Sequence, residues 1–104
     1  MQKLRYEILL PLNRNDGTAQ APEDLMRTIK EITRQMGGCT HDHSRIDGFW
    51  NHEGTTFHDQ LNRVLVDVDD TPESLAYFMI LKTALEERFQ QHSIYITRHP
   101  VEVL

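Results

Sequence analysis

The chain has 104 residues, 38% of them hydrophobic, and a formal net charge of -5 at neutral pH, which suits one domain over residues 1–104 with one modest core. Its eleven Lys and Arg are scattered without a basic run, so no nucleic-acid partner is expected, because such a surface concentrates positive charge to displace counterions. A single cysteine cannot staple the domain internally and fits a reducing cytoplasm, and no segment approaches the roughly 20 apolar residues of a membrane span.

Leu4, Tyr6, Ile8 and Leu10 alternate with Arg5 and Glu7, the period-two pattern of a strand with one face on a core. The charges in this stretch also break the apolar run a secretory signal would need. Asn13 to Thr18 supplies turn residues. Pro22-Glu23-Asp24 then opens a helix whose apolar face is Leu25, Ile29, Ile32 and Met36, and Gly37-Gly38 stops it. A hairpin follows. Its turn is expected at Asn51-His52-Glu53-Gly54, with glycine in the left-handed position. Trp50 would then pair with Thr55, Gly48 with Phe57 and Asp47 with His58. Val64, Val66 and Val68 mark the returning strand.

Thr71-Pro72-Glu73 caps a second helix, expected to run to about His92, with the core stripe Leu75, Phe78, Leu81, Leu85 and Phe89. Tyr77 and Ile80 lie off that stripe, on a helix apolar nearly all round between Leu75 and Leu81, which marks them as interface residues of a homodimer or higher oligomer. Ile94 to Thr97 reads as a fourth strand, and Val101 to Leu104, after Pro100, as a short fifth strand at an edge or on another subunit. The order strand, helix, strand, strand, helix, strand is that of an α+β, ferredoxin-like βαββαβ domain, with a four-stranded antiparallel sheet and both helices on one face.

Chemistry-bearing residues concentrate between Cys39 and Asp59. His41 and His43 are two apart, so on a strand both imidazoles share a face. With Cys39 and His58 they make a candidate set for Zn²⁺ or Ni²⁺. The plainer reading is polar residues on the open face of a sheet. Asp47 and His58, as cross-strand neighbours, would form an oriented carboxylate–imidazole pair fit for general-base catalysis, against which stands an ordinary surface ion pair. Phe49, Trp50 and Phe57 form an aromatic patch suited to packing or to binding. No nucleophile elbow and no phosphate loop is present.

The segments Gly38-Cys39-Thr40, Gly48-Phe49-Trp50 and Arg63-Val64-Leu65-Val66-Asp67-Val68, with the Asp16-Gly17 turn, resemble an uncharacterised group of short bacterial proteins. The resemblance implies a ferredoxin-like fold and no known activity. Together these features point to a small self-associating accessory or binding module with no catalysis of its own and no bound cofactor. The alternative is a metal-binding protein or metal-dependent enzyme using His41, His43 and His58.

Overall fold

The computed structural model describes residues 1–104. Six elements follow one another: β1 (Gln2–Pro11), α1 (Pro22–Met36), β2 (Thr40–His52), β3 (Thr55–Val68), α2 (Pro72–Arg88) and β4 (Ile96–Glu102). The strands lie in the order β2-β3-β1-β4, every neighbouring pair antiparallel. This is the βαββαβ, ferredoxin-like arrangement that the sequence pattern implies. No helix is long and apolar enough to cross a membrane.

Strand alternation divides the sheet into two unlike faces. Tyr6, Ile8 and Leu10 of β1 and Val64, Val66 and Val68 of β3 are buried against Ile32 of α1 and Phe78, Leu81 and Leu85 of α2, with Phe89 and Ile94 closing the far end. Both helices therefore cover the same face. On the other face the intervening residues form crossed ion pairs: Lys3 with Asp69 at 2.6 Å, Arg5 with Asp67 at 2.8 Å, and Arg63 with Asp42 at 2.8 Å. That face can stay in water because charged groups, rather than aliphatic ones, occupy much of it.

The helices end where local chemistry stops them. Thr71 accepts the Ser74 amide and caps α2, while Gly37, in the left-handed region, closes α1 by donating its amide to the Thr33 carbonyl. Helix α2 stops at Arg88, short of the expected His92, because Gln90 adopts a φ of 53°. This break leaves both Phe89 and Ile94 buried. Between the helices, Arg88 donates to Thr28 at 2.8 Å and to Glu31 at 3.0 Å.

The expected fourth and fifth strands are one. Strand β4 runs through Pro100 and pairs with β1 from Ile8↔Ile96 to Gln2↔Glu102. Proline is tolerated there because β4 is an edge strand with no neighbour on its outer side. The chain ends continue the ladder, Met1 and Val103 exchanging bonds of 2.7 and 2.8 Å. The tail is thus held within its own chain.

Candidate functional site

The hairpin differs from its expected form in a way that sets the site. Its turn is two residues, Glu53-Gly54, with φ of 51° and 81°, the doubly left-handed geometry whose twist matches that of paired strands. His52 pairs with Thr55, Trp50 with Phe57, Phe49 with His58, Gly48 with Asp59 and Asp47 with Gln60. The expected pairings Trp50–Thr55, Gly48–Phe57 and Asp47–His58 are each displaced by two residues, because the turn is two residues rather than four. An even displacement leaves every side chain on its expected face.

Strands β2 and β3, at 13 and 14 residues, are longer than β1 at 10 and β4 at 7. Their far ends have no third strand beside them and form an arm. The molecule accordingly measures 42 × 29 × 25 Å with a radius of gyration of 14.2 Å, above the ~13 Å of a compact domain this size. On the arm's open face Trp50 lies opposite Phe57. A β-carbon on Gly48 would come 3.0 Å from the Leu61 side chain and 3.5 Å from the Trp50 ring. Absence of that carbon lets the indole lie along the strand toward Leu61.

The opposite side of the arm, continuous with the face that carries the helices, holds the carboxylate–imidazole pair. His58 Nε2 is 2.8 Å from Asp47 Oδ1, a diagonal contact, and the Phe49 ring stacks on the imidazole with centroids 4.5 Å apart and planes 8° from parallel. About half of each polar side chain is exposed. Asp47 orients the imidazole and could hold its proton on Nε2, leaving Nδ1 as a base. Two depressions lie away from the pair: one, of about 80 Å³, by Leu12, Gln20 and Asn62, the other, of about 170 Å³, between α2 and β4.

At the root of the arm β2 bulges. Asp42 pairs with Arg63 and Ile46 with Leu61, so three residues of β2 stand opposite Asn62 alone. Asn62 is buried. Its amide nitrogen lies 3.4 and 3.3 Å from the carbonyls of His43 and Ser44, and its oxygen lies 3.2 Å from His41 Nε2. The Asp42 carboxylate accepts the Ser44 amide at 2.8 Å and the Arg63 guanidinium at 2.8 Å. Bonds from Ser44 and then Arg63 hold its pKa down to about 2. Sequence reasoning missed this hub, although an asparagine interrupting the inward row Val64, Val66, Val68 was a readable signal.

The four residues grouped by sequence as metal ligands are distributed. The rings of His41 and His43 touch, with centroids 3.9 Å apart. His58 stays with Asp47 out on the arm. Cys39 packs against the core, its sulfur 3.5 Å from Thr33 Oγ1. Within the chain no three His, Cys, Asp or Glu residues are grouped so as to hold a metal ion. On α2, Ile80 is exposed beside Met79. Tyr77 is half-buried, packed edge-on to Phe78 at 5.2 Å, and burial raises its hydroxyl pKa. Part of its ring thus packs within its own chain, while Ile80 stands free of the core.

No family model and no curated protein sequence matches the chain. Solved structures do. A phage SAM lyase in complex with S-methyl-5′-thioadenosine superposes with a TM-score of 0.69 at 16% identity, covering 93% of this chain and 80% of the other. The divalent cation tolerance protein CutA1 of Thermus thermophilus gives 0.64 at 15% identity, over 99% of this chain and 86% of that one. The periplasmic divalent cation tolerance protein CutA of Archaeoglobus fulgidus gives 0.65 at 16%, over the same 99% and 86%. At such identities the likeness is one of fold.

Proposed function

We propose that this protein is a self-associating binding module without catalysis of its own, in which the aromatic arm of β2 and β3 seats against a second copy. The observation that carries this reading is the exposure of Trp50 at 46% and Phe57 at 44%, opposite each other on the open face of an arm that no other element covers, while Phe49 is exposed on the reverse side. With about 200 Å² per aromatic side chain, Trp50 and Phe57 together expose roughly 180 Å² of aromatic surface on that one face, grouped as a contact surface is rather than scattered singly. Ile80 and Met79 on α2 offer a second exposed apolar surface for the partner. The lone, half-buried cysteine supports a reducing, cytoplasmic setting for a bacterial protein of this kind.

Trp50 is the sole tryptophan, so its emission reports the arm alone. Sedimentation and fluorescence over a dilution series should show a multimer at high concentration and a red shift of Trp50 as it dissociates. Phe57→Ser should weaken association without lowering the melting temperature. A monomer at all concentrations, with constant emission, would remove the reading.

The 2.8 Å contact of Asp47 with His58 favours a second reading, general-base chemistry at that pair. The reaction to try first is that of the phage neighbour. Release of S-methyl-5′-thioadenosine from SAM, lost in His58→Ala, would establish it, and absence of release would leave the pair as a surface contact.

A further inference from the structure

Asn62 determines which nitrogen of His41 carries the proton. Its Nδ2 faces the carbonyls of His43 and Ser44, which only accept hydrogen bonds, so the amide orientation is fixed and Oδ1 must be the atom facing His41. An amide oxygen also only accepts. The His41 Nε2 at 3.2 Å is therefore the protonated nitrogen, and in the neutral ring Nδ1 keeps its lone pair. A histidine whose far N–H is held by a carbonyl-type oxygen is the arrangement that orients metal-binding imidazoles and raises their basicity. Asn62 holds it from a buried position.

The second imidazole is already alongside. His43 is exposed on the bulge, with its ring in contact with that of His41, and an exposed side chain can rotate on the nanosecond scale to open the pair around an ion. Two nitrogens make half of a tetrahedral site. The chain gives no third ligand close enough: Cys39 is against the core and His58 is beside Asp47. The strand that carries the pair is, however, an edge of the sheet, with β3 on one side and no strand on the other. A two-fold contact between two such edges sets each residue near its own counterpart when the axis passes beside it. An axis beside Asp42 would bring together two copies of the His41–His43 pair.

We propose that His41 and His43 form half of a divalent transition-metal site, for Zn²⁺ or Ni²⁺, completed by the same pair of a second copy of this chain. The site stands apart from the arm contact, since it uses the outer edge of β2 and none of Phe49, Trp50 or Phe57. Imidazole nitrogens suit these borderline ions, and the absence of a carboxylate from the ligand set disfavours Mg²⁺ and Ca²⁺.

The test is titration of the metal-free, untagged full chain with Zn²⁺, followed by calorimetry and sedimentation, in both the unmodified protein and Phe57→Ser. The expected result is one ion per two chains, with a mass that doubles on saturation in both proteins. Co²⁺ should give the intense visible absorption of a tetrahedral centre. His43→Ala, at an exposed position where folding is not at risk, should abolish both binding and the mass change, as should His41→Gln, whereas Cys39→Ser should alter neither. Binding of one ion per chain without a change in mass, binding that survives His43→Ala, or no binding at all would each overturn the site.

Discussion

Replacing Asn62 by leucine keeps nearly the same volume and removes every polar contact the side chain makes. Two bulge carbonyls lose their amide donor and His41 Nε2 loses its acceptor. Each neutral hydrogen bond contributes about 1 kcal/mol net, and a buried group left without a partner costs about 1–3 kcal/mol. His43 and Ser44 are exposed, so water can replace part of what their carbonyls lose, and the leucine adds apolar burial. The net expectation is a loss of about 2 kcal/mol, which for a domain near this size lowers the melting temperature by roughly 10 °C. Urea unfolding followed by circular dichroism measures it, while Trp50 emission below the transition reports whether the arm loosens first. Asn62→Asp should cost at least as much at neutral pH, because its carboxylate would meet the two carbonyls with no hydrogen to offer. A leucine variant within about 0.5 kcal/mol of the parent would show that the bulge does not depend on the amide.

Two further outcomes follow from the same strand. Glu53 pays for its left-handed φ of 51° without the relief that asparagine or glycine enjoys there, so Glu53→Asn, giving the favoured Asn-Gly turn, should stabilise the domain by about 0.5–1 kcal/mol; an unchanged or lower denaturation midpoint would reject the turn geometry. Asp42 has its pKa lowered from 3.8 to about 2, so it binds fewer protons folded than unfolded. Its contribution is therefore fully present above pH ~4 and lost as pH falls toward 2. The melting-temperature gap between the parent and Asp42→Asn should be constant from pH 7 to about 5 and close between about 4 and 2; a gap that persists at pH 2 would mean that the carboxylate is not the group responsible.

Much of the fold was legible because burial and alternation coincide. Tyr6, Ile8 and Leu10, or Val64, Val66 and Val68, cannot face a core in any conformation but a strand, and the stripe Phe78, Leu81 and Leu85 needs a helix. The misreadings fell where the physical cause lies outside the segment concerned. Pro100 reads as a strand terminator until β4 is known to be an edge. The end of α2 depends on Phe89 and Ile94 reaching the core, not on a breaker residue, since glutamine at position 90 is an ordinary helix former. The hairpin register turned on whether Asn51 and His52 belong to the turn, and local composition suits either answer. At the site, the histidine spacing was visible but its division between two places was not. That division follows from the hairpin register, which sets His41 opposite Val64 and His58 opposite Phe49, well apart along β3.

The size of the bulge also determines the two sides of the arm. Between the pairs Asp42–Arg63 and Ile46–Leu61, β2 has three residues where β3 has one. The excess is two, and because side chains alternate with period two, an even excess preserves the faces while an odd one exchanges them. Asp42 and Trp50 therefore remain on the same face. Over the body that face carries ion pairs, and beyond the bulge it carries Ile46, Leu61, Trp50 and Phe57. Asp47, Phe49 and His58 stay on the side continuous with the helices. Had the excess been one, Phe49 and Asp47 would lie on the open face and Trp50, still with Gly48, would lie on the side of His58. The aromatic side suits contact with another protein and the imidazole side suits protons or metal ions. Their separation means that the two proposals, self-association through the arm and ion binding at the β2 edge, call on different side chains.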